Sequence, residues 1–137
     1  MIGVIVITHG TLSEQLVATA ALIMGEPEHV SPVSFTARES LDSLRQKANE
    51  AIEKYRADGC LILTDIMGGS ATNVCVELMK TEKVEILTGV NLPMLLEAIG
   101  YREGVELKEL AAKVQSSGTR SIINLKEFFE KRTAKKA

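Results

Sequence analysis

At 137 residues with 45% hydrophobic and 25% charged side chains, the chain has the size of one globular domain able to bury a core. Its net charge of -2 argues against the broad basic field that nucleic-acid binding needs, and no apolar run approaches membrane-spanning length. Cys60 and Cys75 lie in apolar segments without a C-x-x-C pattern. They read as buried thiols of a reducing compartment, and the ligands for a zinc site are too few. The amino terminus enters a strand without a basic leader or cleavage site, so a cytoplasmic location is expected.

The first element is Ile2 to Thr8, followed by His9 and Gly10. Five branched aliphatics in the six positions 2–7, with no polar alternation, predict a strand buried on both faces, as in a parallel sheet. Thr11-Leu12-Ser13-Glu14 has the capping-box pattern of a helix start, and Leu16, Ala20, Ile23 and Met24 continue at helical spacing until Gly25 and Pro27. Val30 to Phe35 is a second strand, placed at an edge or strand start by Pro32, which lacks a ladder donor. Thr36-Ala37-Arg38-Glu39 repeats the capping pattern ahead of a helix with Leu41, Leu44, Ala48, Ile52 and Tyr55 on its apolar stripe.

Gly59 to Thr64 is a further buried strand, delivering Asp65 and then the loop Ile66-Met67-Gly68-Gly69-Ser70 before a helix. Val84 to Thr88 is a fourth strand, and Asn91-Leu92-Pro93 opens the next helix, with proline in its first turn. Leu107 to Val114 predicts an amphipathic helix stopped near Gly118, Ser121 to Asn124 a short last strand, and Phe128-Phe129 a terminal helical turn. The basic tail, Lys131 to Lys136, reads as a solvated end. A domain over 1–125 is expected, with 126–137 as helical turn and tail.

Strands alternating with helices predict an α/β fold: an open, mainly parallel sheet with helices on both faces. Parallel packing then brings the polar ends of strands one, three and four to one sheet edge, where such folds bind ligands. His9, Asp65, Ser70 and Asn91 are expected neighbours. A carboxylate accepting the Nδ1 proton of His9 fixes the tautomer and leaves the Nε2 lone pair outward. A Gly-Gly-Ser loop opening a helix supplies amides for an anion. A nucleophile and an anion cradle together point to phosphoryl transfer. Each piece has a plainer reading: Asp65 before two glycines also fits a strand-ending turn, Ser70 a helix cap, Asn91 with Pro93 a turn and helix start. Met24, Met67, Met79 and Met94 fit core or pocket lining.

Thr8-His9-Gly10, Asp65-x-x-Gly68-Gly69-Ser70 and Gly89-Val90-Asn91-x-Pro93-Met94-Leu95, in this order, resemble the mannose-family IIA component of the bacterial phosphoenolpyruvate-dependent sugar phosphotransferase system (PTS). The resemblance covers residue 1 to about 125. It implies that His9 accepts a phosphoryl group from the phosphocarrier protein HPr and passes it to a IIB component, with no cofactor or metal. Asp65 is expected to orient the imidazole, Gly68, Gly69 and Ser70 to hold the phosphate, and Thr8, Gly10, Met24, Met67, Asn91 and Pro93 to line the pocket. Ala71 stands where the family commonly has proline. The resemblance further implies a homodimer in which the last strand is exchanged antiparallel between subunits, and a membrane link only through a sugar permease. Without a fused IIB domain, the acceptor is expected to be a separate protein or absent.

Four rival readings stand beside this one. The phosphotransfer subunit of a phosphoenolpyruvate-dependent dihydroxyacetone kinase shares the fold, and a IIA protein can be mainly regulatory. A nucleotide-binding module lacks support, since neither a G-x-G-x-x-G after the first strand nor a Walker lysine is present. A receiver domain phosphorylated on aspartate needs clustered acids for a metal, and the first strand ends in Thr-His.

Overall fold

The computed structural model describes residues 1–66 and 68–136, with Ser70 and residues 134–136 described through their backbone. Its elements run β1 (Gly3–His9), α1 (Leu12–Met24), β2 (Val30–Phe35), α2 (Leu41–Lys54), β3 (Cys60–Thr64), α3 (Ser70–Leu78), β4 (Val84–Leu87), α4 (Leu92–Tyr101), α5 (Leu107–Arg120) and α6 (Leu125–Lys136). The four strands form one parallel sheet in the order β2-β1-β3-β4. Pro32 does sit on the edge strand, where its missing donor costs no ladder bond.

Both faces of β1 and β3 are covered, which is why their sequences do not alternate. Ile5, Ile7 and Ile62 pack with Leu44 and Ile52 of α2 and with Val74 and Leu78 of α3. On the other face Val4, Val6, Leu61 and Leu63 pack with Ala20 of α1, Leu95 of α4, and Leu110 and Val114 of α5. Each such aliphatic stabilises the fold by about 1.5–3 kcal/mol.

Local chemistry departs from the sequence expectation at four places. Thr11 provides no side-chain cap for α1; instead Thr8 Oγ1, on the preceding strand, accepts from the Ser13 amide at 2.6 Å. The pattern Thr36 to Glu39 forms its own turn, with the Thr36 amide donating to Glu39 Oε1 at 3.2 Å, while Ser40 caps α2. Gly118 does not stop α5. It is buried within the helix because a Cβ there would lie 2.4 Å from Met94 Cγ, so glycine serves close helix packing rather than termination.

The fourth place is the segment after α5, which forms no strand in the single chain. Ser121 is a turn residue, Ile122 to Asn124 are irregular, and the expected helical turn is a helix of 12 residues. Asn124 accepts from the Glu127 amide at 3.0 Å and so caps α6, while Ile122 and Ile123 have no sheet neighbour in the single chain with which to form a ladder. Among the described residues, no helix is long and apolar enough to cross a membrane.

Candidate active site

The strand order fixes where a site can form. From β1 the chain turns to β2 through α1 on one face, and from β3 it turns to β4 through α3 on the other. The two connections diverge and leave a crevice at the carboxyl ends of β1 and β3, the topological switch point of the sheet. Register pairs Ile7 with Thr64, so His9 and Asp65 emerge on either side of that crevice.

Asp65 Oδ2 lies 2.9 Å from His9 Nδ1 and accepts from the His9 backbone amide, also at 2.9 Å. Asp65 Oδ1 accepts from the Ile66 amide at 2.9 Å. Burial opposes the charge, yet the bonds from the His9 amide, the His9 ring and the Ile66 amide outweigh it and hold the carboxyl below its ordinary range. The exposures of the pair are unequal, 52% for the His9 side chain and 17% for Asp65. The imidazole is thus anchored at Nδ1 and open at Nε2. Phe35 flanks the ring at a centroid distance of 6.0 Å, and the Gly10 amide donates to Phe35 O at 2.9 Å, tying the chain just after β1 to the end of β2.

Gly68 and Gly69 follow with φ of +137° and +71°, values that side chains resist. Gly69 is the N-cap of α3 and brings no side-chain cap. The Thr72 amide donates to Gly69 O at 3.3 Å, and the amides of the first turn lie at the positive end of the helix dipole without a side-chain cap from Gly69. Thr72 Oγ1 accepts from the Gly68 amide at 2.6 Å.

Behind the pair lies a cavity of about 40 Å³ whose lining includes Thr64, Thr72 and Cys75 together with His9 and Asp65. Thr64 is 4% exposed, and its hydroxyl has no partner among the described residues. Burial and the nearby Asp65 charge push the Cys75 thiol up, so it stays protonated at neutral pH.

The structure brings His9, Asp65, Gly68, Gly69 and the backbone of Ser70 to one edge. Thr8 is buried, its hydroxyl spent on the Ser13 amide. Asn91 and Pro93 begin α4 at the same edge, but Asn91 accepts from the Met94 amide and donates to Gly118 O, tying α4 to α5 rather than reaching His9. Met24 is at the far end of α1, roughly 20 Å along the helix axis from its start, and its methyl faces Gly100; it is not brought to His9. Met67 lies outside the described residues. Sequence reasoning passed over Phe35, Thr64, Thr72 and Cys75; only Thr72, three residues after the glycine that begins a helix, carried a signal, that of a residue reaching back to a free amide.

A larger cavity of about 770 Å³ lies at the opposite edge, by Met1, Lys83 and the start of α5. Its buried Arg102 is committed to the carbonyls of Ile2, Glu28 and His29. No set of three or more His, Cys, Asp or Glu side chains converges among the described residues.

Known proteins share this architecture. The family model described as "PTS system fructose IIA component" matches residues 3–115. The mannose-specific EIIAB component of Escherichia coli (strain K12) is 34% identical over 128 residues, 91% of this chain, and the chain spans 40% of that relative's length. The fructose-specific EIIA component of Bacillus subtilis (strain 168) is 30% identical over 133 residues, 96% of this chain and 91% of its own length. Among solved structures, the EIIA component from Streptococcus agalactiae superposes with a TM-score of 0.85 at 28% identity, covering 93% of this chain and 99% of that one. The mannose/sorbose specific IIA subunit from Enterococcus faecalis gives 0.76 at 31% identity, covering 90% of this chain and 93% of that one. With the match extending over most of its length, the chain belongs to the mannose-family IIA components of the sugar phosphotransferase system, the phosphotransfer proteins of that system.

Proposed function

We propose that His9 accepts a phosphoryl group on Nε2 from phosphorylated HPr and passes it to a IIB component of a sugar PTS. The observation that carries this reading is the doubly bonded His9–Asp65 pair with Nδ1 anchored and the ring half exposed. In the step, the Nε2 lone pair forms a bond to phosphorus while the donor's N–P bond breaks, its electron pair returning to the donor ring. Nδ1 keeps its proton against Asp65. The positive character gained by the imidazole is offset by a carboxylate already held ionised. The amides opening α3 suit the phosphoryl oxygens, as helix N-termini suit anions. Transfer onward reverses these roles toward the IIB acceptor.

The partners so proposed act in the cytoplasm and reach the membrane through the permease they serve. We further infer a homodimer. Ile122, Ile123, Leu125, Phe128 and Phe129 are 82%, 55%, 66%, 42% and 57% exposed, and the side chains described for α6 are exposed throughout. A helix of this length is marginal in water without packing. Pairing of 121–124 with a partner's sheet edge would give the segment its ladder and cover the apolar residues.

The function is tested by incubating the chain with phosphoenolpyruvate, Enzyme I and HPr and measuring intact mass. A gain of one phosphoryl group, labile to acid and absent in His9→Ala, is expected. An acid-stable label, or one that persists in His9→Ala, contradicts it.

A further inference from the structure

We propose that Thr72 is a positioning residue for phosphoryl transfer: its hydroxyl latches the Gly68-Gly69 loop so that the amides opening α3 stay aimed at the phosphoryl group on His9. This rests on the transfer reading above. A Cβ added at Gly68 or Gly69 would meet nothing within 4 Å, so close packing against a neighbour is not what requires glycine at either position. Both occupy backbone conformations that only glycine visits freely, at φ +137° and +71°. Such a pair is the most mobile backbone a chain can have unless hydrogen bonds restrain it. The restraint described here is the Gly68 N–H donating to Thr72 Oγ1 at 2.6 Å, a bond that spans four residues and closes the loop onto the first turn of α3.

Thr72 also lines the cavity behind His9 and Asp65, which places the latch next to the pair. Amides accelerate charge transfer only when held in place before the charge arrives. Here Gly69 caps α3 with no side chain of its own, and Ala71 lacks the fixed φ that a proline brings to a helix start. The hydroxyl three residues into the helix supplies the rigidity that neither neighbour provides.

The test uses full-length Thr72→Val and Thr72→Ser. It measures the single-turnover rate from phosphorylated HPr, the HPr concentration giving half that rate, and hydrogen exchange at the Gly68 amide. Thr72→Val should lower the saturated rate about tenfold, the loss expected when donors are no longer pre-aimed. The half-saturating concentration should stay unchanged and Gly68 exchange should rise. Thr72→Ser, which keeps the hydroxyl, should restore both the rate and the protection. Thr72→Ala carries the same expectation if valine is not accommodated. A wild-type saturated rate in Thr72→Val, or a change confined to half-saturation, overturns the positioning role and leaves Thr72 a helix cap. Failure of the unmodified chain to take a phosphoryl group on His9 overturns the transfer reading itself, and Gly68 exchange then reports on the latch separately.

Discussion

His9 and Asp65, 56 positions apart in the chain, meet through a single carboxylate oxygen that lies 2.9 Å from both the backbone amide and the ring Nδ1 of the histidine. The amide bond fixes where the carboxylate sits relative to the end of β1, and the ring bond then fixes which nitrogen is free. Backbone and side chain of one residue are thereby aligned by one partner, so the orientation of the imidazole is inherited from the register of β1 and β3 rather than from loop packing.

Removing that partner should separate activity from folding. Asp65→Ala is expected to keep the far-ultraviolet circular dichroism of the native chain while slowing transfer by roughly 10²- to 10⁴-fold, the range for a group that sets a tautomer and stabilises developing charge. Ser70→Ala should be milder, because backbone amides remain. A wild-type rate for Asp65→Ala would remove Asp65 from the site.

Thr8 invites the opposite test, in which stability changes first. Its hydroxyl is buried and accepts from the amide of Ser13, itself fully buried. Thr8→Val leaves that amide without its acceptor, which should cost about 1–3 kcal/mol, read as a lower urea midpoint with unchanged slope. An unchanged midpoint would show that α1 does not depend on this cap.

Acid stability should depend on Glu39. Lys47, 2.6 Å away, and the Thr36 amide hold its carboxyl at about 2 against an ordinary 4.5. A depressed carboxyl contributes stability that is present above its unfolded value and lost as pH falls toward the folded one. Glu39→Gln should therefore be less stable than the native chain at pH 7. Its urea midpoint should vary less steeply over the interval from about 4.5 down to about 2, with Asp65 leaving a residual slope of the same sign. Superimposable acid limbs for the two proteins would contradict this assignment.

Assembly can be read by sedimentation. The full chain should run at twice its 14.9 kDa mass, and Ile122→Asp combined with Ile123→Asp should shift it toward monomer by placing charge on the paired segment. A soluble native monomer at micromolar concentration would remove the dimer and leave the His9 chemistry untouched.

Much of the sheet was legible because doubly buried strands leave a simple mark: Val4 to Ile7 and Cys60 to Leu63 are apolar without alternation, and Pro32 names an edge. The meeting of His9 and Asp65 followed from parallel topology, since strand ends on one edge must converge. What escaped depended on contacts made at a distance in sequence. Thr11 has the residue pattern of a cap, but the acceptor came from Thr8 on the strand before it. Gly118 looks like a stop until Met94 is seen against it. Ile122 and Ile123 have strand composition, yet a strand exists only where another offers a ladder. Met24 suits a pocket by residue type, whereas the direction of α1 carries it to the other end of the helix, against Gly100. Thr72 stands where a side chain can reach back to a free amide, and the 2.6 Å bond to Gly68 shows which amide it takes.

The most direct measurement is a long-range proton–nitrogen correlation spectrum of the chain labelled with ¹⁵N-histidine, recorded before and after phosphorylation by HPr. The account predicts that His9 is the ring that changes, with phosphorus bonded at Nε2 and the Nδ1 proton retained against Asp65. A phosphoryl group on His9 Nδ1, or an unchanged His9 ring in a phosphorylated chain, would contradict it.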